Sequence, residues 1–141
     1  MKTKSINKLM ALTATLVFAF TLMAFISPQD GQKKGGPWDI PSKYVKMENP
    51  YADEDLNKVG KMLYSKHCKS CHGNKGLGDG PKAAQLETFP GDFSSDEFQS
   101  GTDGELYYKS FIGRDEMPNY EKKLPDEEDR WAIVNYIRTL K

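Results

Sequence analysis

The chain has only two cysteines and two histidines in 141 residues, and no excess of charge of either sign, with 20 basic against 20 acidic side chains. That balance argues against nucleic acid as a partner, because the basic face such a partner needs is missing. Past the amino terminus the balance turns acidic. Residues 1–26 hold Lys2, Lys4 and Lys8 and no acid, which leaves 17 minus 20, or minus three, for the rest. No alternation of strand and helix patterns runs through the chain. No Gly-Lys-Ser/Thr follows its glycine-rich stretch, and no third cysteine is available to carry a lipid. With 38% hydrophobic and 28% charged residues, there is room for one domain with a modest core.

The scarce residues are clustered. Cys68-Lys69-Ser70-Cys71-His72 uses both cysteines and one of the histidines, at the spacing of a c-type haem attachment sequence. Two thiols separated by two residues can each add to one of the vinyl groups on a haem edge. The next residue then lies under the iron, where the His72 imidazole can ligate it from the proximal side. One covalent haem c, held by Cys68, Cys71 and His72, is the expected cofactor. Three other readings compete. A redox-active dithiol of the thioredoxin kind lacks its strand-and-helix alternation. Zinc would have to take four ligands from His67, Cys68, Cys71 and His72, too close in sequence to surround one ion. A simple disulfide leaves His72 unexplained.

Residues 1–8 carry three lysines and no acid, an apolar run follows from Leu9 to Ile26, and Pro28 ends it. Residues 1–26 are therefore expected to be an export segment, either a cleaved signal peptide or a retained membrane anchor. Eighteen residues is long for the apolar part of a signal and short for a span. Thr13, Thr15 and Thr21 weaken the span, while no Ala-x-Ala site near Met23 to Ser27 supports cleavage. On either reading the domain faces the outside of the cytoplasmic membrane or the periplasm. Residues 27–50, rich in Gly, Pro, Lys and Gln, are expected to form a flexible linker with a span of about 25 Å. Trp38, Ile40, Tyr44 and Val45 hint that part of it packs on something.

The domain is expected over 51–141. Leu56, Val59 or Gly60, Leu63 and Tyr64 fall at helical spacing and predict a helix from Asp53 to His67. Gly60 is costly inside a helix and calls for the close approach of another. The last helix is the candidate: Asp126 can cap it, Glu127 to Asp129 suit its amino end, Ile133, Val134, Ile137 and Leu140 form a stripe, and Trp131 and Tyr136 flank it. Between the two, residues 73–81 contain four glycines, and beside a haem they read as backbone passing close to the porphyrin edge. A short helix is expected over 81–87. Thr102-Asp103-Gly104-Glu105 is a capping box opening a helix through Phe111, and Gly113 can end it.

An iron ligated by His72 has a second axial position. His67 sits on the proximal side, Met1, Met10 and Met23 lie in the export segment, Met47 lies in the linker, and Met62 points away from the apolar helix face. Met117 remains, 45 residues beyond His72 and just before Pro118, in an irregular charged stretch with no evident core to join. It is the candidate distal ligand, against the alternative of a merely buried thioether, with Tyr120 and Lys122 as substitutes. Ligation by histidine and methionine fills both positions and favours electron transfer over substrate binding.

Gly60, Leu63, Tyr64, the Cys68–His72 motif, Met117-Pro118, and Ile133, Tyr136 and Ile137 together resemble the class I cytochrome c family, over about residues 51–140. The stretch through Gly78-Asp79-Gly80-Pro81 is similar to bacterial monohaem domains that serve respiratory complexes. The resemblance implies a small all-α fold around one haem, with terminal helices crossing at Gly60 beside Tyr136. It also implies a proline carbonyl, Pro81 here, that accepts the Nδ1 proton of His72. Relatives dock acidic partners with lysines. Lys58, Lys61, Lys66, Lys69 and Lys75 suit that role, although Asp115, Glu116, Glu121 and Glu127 stand near the methionine. The expected function is single-electron transfer between respiratory components, with an oxidase or dehydrogenase as redox partner and no enzymatic activity. The alternatives are a haem subunit held permanently in a larger oxidoreductase, and a gas sensor or peroxidase-like enzyme, which the chain's lack of a distal histidine disfavours.

Overall fold

Gly60 is where the two longest helices meet. The computed structural model describes residues 32–141, so the export segment and the first part of the expected linker lie outside the described residues. Six α-helices follow in order: α1 Ser42–Val45, α2 Asn57–His67, α3 Lys69–His72, α4 Asp96–Gln99, α5 Asp103–Phe111 and α6 Glu127–Arg138. A 3-10 turn, Ala83–Gln85, stands where a short helix was expected. Among the described residues there is no strand, only isolated bridges pairing Lys33 with Thr88 and Arg114 with Met117. The all-α expectation holds.

The principal helix pair is α2 against α6. A Cβ on Gly60 would lie 2.0 Å from the Ala132 carbonyl oxygen and 2.8 Å from Tyr136 Cβ, so the absent side chain is what lets the backbones touch. Next to the crossing, the rings of Tyr64 and Tyr136 pack at 5.2 Å. Leu63 and Tyr64 on α2, and Ile133, Val134 and Ile137 on α6, are buried, while Leu140 is half-buried. Val59 faces outward, so Gly60 is the residue of that pair on the buried face. Trp131 is not at the flank of the stripe but wholly buried, because α5 crosses beneath it and Tyr107 stacks on its ring at 4.5 Å.

The helix ends follow local chemistry. Thr102 Oγ1 accepts from the Glu105 N–H and the Glu105 carboxylate accepts from the Thr102 N–H, completing the capping box of α5. Gly113, at φ 70°, takes the left-handed turn beyond its last residue. Asp126 caps α6 by accepting from the Glu128 N–H. The helix expected from Asp53 begins instead at Asn57. Residues 49–51 are held elsewhere: Asn135 on α6 donates to the Tyr51 carbonyl at 2.8 Å and accepts from Asn49 at 2.7 Å.

The segment expected as linker is folded onto the domain from residue 32. Tyr44 on α1 packs on Tyr107 and Tyr108 of α5, and Trp38 meets Tyr108 edge-on at 6.3 Å. Gly104 admits it: a Cβ there would sit 1.9 Å from the Tyr44 carbonyl oxygen. The aromatic side chains in this segment outweigh its glycines and prolines, since each buries more area than a flexible tether can spare.

Candidate haem-binding site

α2 delivers the chain into the motif, and two tyrosines fix the delivery. The buried hydroxyl of Tyr64 donates to the Gly73 carbonyl at 2.8 Å, bridging from the helix to the residue after His72. Tyr120, offered above as a substitute ligand, donates its hydroxyl to the His67 carbonyl at 2.9 Å. The other substitute, Lys122, is exposed. His67 itself is half-buried against the Tyr120 ring.

A single helical turn, α3, carries Cys71 and His72, and a turn this short leaves its carbonyls unsatisfied within the helix. The glycine loop supplies the donors. Gly73 N–H bonds to Lys69, Lys82 N–H to Ser70, Gly80 N–H to Cys71 and Gly78 N–H to His72, at 2.9, 2.8, 3.1 and 3.0 Å. All four carbonyls of the turn are thus recovered by residues 73–82. A Cβ on Gly80 would stand 2.5 Å from the Ser70 oxygen, so only bare backbone can come this close. The loop was expected to pass close to a porphyrin edge; what the structure shows is that it closes over the back of the motif.

The imidazole of His72 is held from the side. Phe93 stacks on it at 4.5 Å and 27°, and Phe98 stacks on Phe93 at 4.4 Å. Phe93 is pinned through its own backbone, donating to Gly76 at 2.7 Å and accepting from Gln99 Nε2 at 2.6 Å. The ring is 8% exposed, yet neither nitrogen has a hydrogen-bond partner of good geometry. Burial pushes the His72 pKa down to about 4, opposed by the Pro90 backbone carbonyl, which faces the ring. The imidazole is therefore neutral at physiological pH, the form that ligates a metal. Pro81, whose carbonyl the resemblance implied as acceptor, lies exposed between Gly80 and Lys82, both of which bond back to the motif.

The two thiols are half-buried and not joined to each other. Burial, with Cys71 alongside, pushes Cys68 up to about 12, the reverse of the lowered pKa that a redox-active dithiol requires. Among the described residues no group of three or more His, Cys, Asp or Glu side chains is placed to hold a metal ion. A buried, neutral imidazole with no hydrogen bond of good geometry at either nitrogen, beside two thiols that form no disulfide, is a donor set that fits covalent haem.

Met117 closes a tight turn. Its N–H bonds to the Arg114 carbonyl at 2.8 Å, Asp115 between them takes φ 50°, and the turn folds back so closely that a Cβ on Gly113 would sit 2.3 Å from the Met117 oxygen. Met117 is half-buried. The other described methionines are committed elsewhere: Met47, half-buried, packs against the core beside Gly104, and Met62 is 62% exposed on α2.

Pro90 and the stacking role of Phe93 escaped the sequence reading. The Phe89-Pro90-Gly91 run was a visible turn signal, but nothing in it says that its carbonyl faces His72. A family model for cytochrome c matches residues 57–141, from the first residue of α2 to the end of the chain. Among curated proteins, no sequence matches. The match takes in the motif, the glycine loop, Met117 and the α2–α6 crossing, and leaves residues 32–56 outside it. The chain thus belongs to the cytochrome c family, carries covalently bound haem c and serves in general as a haem-based electron carrier.

Proposed function

We propose that this protein passes single electrons between respiratory-chain components on the outer side of the cytoplasmic membrane, with His72 and Met117 as the two axial ligands of its haem iron. The observation that carries the reading is the disposition of the described methionines: Met47 packs against the core beside Gly104, Met62 is in solvent, and Met117 closes the tight turn that follows Gly113. Bound haem supplies a one-electron ferric–ferrous couple. The chain's own residues do the rest. Cys68 and Cys71 tether the group, and burial keeps His72 neutral. Pro90 offers its carbonyl to the imidazole, in place of Pro81, and so orients the ring and raises its basicity. Tyr64, Phe93 and Phe98 exclude water from the proximal side, and Phe89 packs on Gly78 beside them. Were His72 and Met117 both to hold the iron, little would rearrange when its charge changes, which would favour transfer over substrate chemistry.

The surface supports a redox protein as partner. Lys58, Lys61, Lys66, Lys69 and Lys75 are all exposed on α2, the motif and the glycine loop, and Asp115, Glu121 and Glu127 are exposed on later segments. Such a lysine cluster would orient an encounter with an acidic partner and speed it at low salt. Potentiometric titration followed in the visible spectrum tests the function. One reversible one-electron wave is expected. Steady turnover of hydrogen peroxide by the purified protein would contradict the carrier reading.

A further inference from the structure

The turn that carries Met117 is gripped by a part of the chain that lies outside the family match. Arg114, at the turn's start, has its side chain 30% exposed, and its guanidinium reaches back to residues 36–38. One terminal nitrogen donates to the Pro37 carbonyl at 2.6 Å and the other to the Gly36 carbonyl. The guanidinium plane also lies over the Trp38 ring at 4.2 Å. Trp38 is in turn braced edge-on by Tyr108 of α5. The carboxylate of Glu116, immediately before Met117, turns the other way and accepts from the Glu87 and Thr88 N–H groups at 3.1 and 2.9 Å.

These two anchor points are themselves joined. Lys33 pairs with the 87–89 segment, donating to the Glu87 carbonyl at 3.3 Å and accepting from the Phe89 N–H at 3.1 Å. Gln32 donates to the Ala83 and Leu86 carbonyls at 2.5 and 2.9 Å. A Cβ on Gly35 would be 3.3 Å from both the Arg114 guanidinium and the Thr88 methyl, so the strap passes closely between them. Three segments, 32–38, 83–89 and 114–117, thus form one closed hydrogen-bonded ring, and Met117 sits at its end.

The geometry points to residues 32–38 as a strap that fixes the Met117 turn, with Arg114, Trp38 and Glu116 as positioning residues for the sixth iron ligand. This rests on the reading of Met117 as that ligand. A thioether is a weak ligand in competition with water or a gas, so its retention depends on how little its backbone can move. Charge-assisted bonds from a planar guanidinium to two carbonyls, backed by an aromatic face, are stiffer than a loop of exposed charged residues would otherwise be. The strap makes the difference between a ligand that stays and one that leaves.

The test mixes the reduced holoprotein with carbon monoxide in a stopped-flow spectrometer, for the native chain, Arg114→Ala, Trp38→Ala, Arg114→Lys and Met117→Ala. Hydrogen exchange of the Glu87 and Thr88 amides is followed in parallel. Arg114→Ala and Trp38→Ala are expected to bind carbon monoxide at least about tenfold faster than the native chain, approaching Met117→Ala. In their oxidised forms the thioether-to-iron charge-transfer band should weaken. Arg114→Lys, which keeps the charge but not the fork or the stack, should fall between. Trp38→Ala leaves the guanidinium in place and serves if Arg114→Ala fails to mature. Faster amide exchange at 87–88 with unchanged carbon monoxide binding would overturn the proposal, since the strap would then be free and the ligand indifferent. If Met117→Ala itself matches the native chain in both spectrum and binding, the ligand reading falls and the strap's role falls with it.

Discussion

His72 and Gly60 show how much of this protein is decided by single positions. Gly60→Ala places a methyl group inside the contact distance of the Ala132 carbonyl. Neither α2 nor α6 can yield without opening the core, so the variant is expected to lose about 3 kcal/mol in chemical denaturation. His67, just before the motif, adds a dependence on pH. Burial, with Lys66 and Lys123 alongside, lowers its pKa below the ordinary 6.5. The unfolded chain then takes up a proton more readily than the folded one, so the stability that neutral His67 contributes is present above 6.5 and is lost as pH falls through that value. His67→Gln should reduce the loss of stability as pH falls below 6.5, without altering the visible spectrum. A spectral change on this substitution would put His67 at the iron.

At the scale of elements, the parts legible in the sequence were those written in local chemistry. The capping box at Thr102, the aspartate cap at Asp126, the glycine stop at Gly113 and the apolar spacing of α2 and α6 each stand within a few residues of their cause, and each is found. What the sequence hid were contacts between distant segments. Helix α2 starts at Asn57 because Asn135, 84 residues from Tyr51, holds the preceding turn. Residues 32–47 read as linker by composition, and only the fold reveals that Gly104 opens a seat for Tyr44. The motif was plain from its spacing, yet the Pro90 carbonyl that faces its imidazole was not, because a backbone carbonyl leaves no mark on side-chain pattern. Thr102 links these levels: it caps α5 and donates to the Val45 carbonyl at 3.2 Å. Thr102→Ala should cost about 1 kcal/mol. Arg138 ends α6 by binding Asp103 and the carbonyls of Gln99 and Gly101 at 2.8, 2.7 and 2.6 Å. Arg138→Ala should cost about 2 kcal/mol, measured by the same denaturation, because three acceptors lose one donor group.

At the scale of the molecule, the core is organised around something the amino acids do not themselves supply. His72 is buried with neither ring nitrogen in a hydrogen bond of good geometry. Buried polar groups without partners are costly, so the chain gains by meeting a group that satisfies them. A Cys68→Ser/Cys71→Ser chain, unable to attach haem covalently, is therefore expected to unfold at lower urea and over a broader range than the native protein. An unchanged transition would mean that the polypeptide core suffices alone. The central claim, that His72 and Met117 close both faces of the iron for electron transfer, is tested most directly by the absorption spectrum of the reduced protein with and without carbon monoxide, repeated on Met117→Ala. The account predicts no change at equilibrium in the native protein and a clear shift in the variant. Ready carbon monoxide binding by the native protein would contradict it and place a gas-binding or catalytic role first.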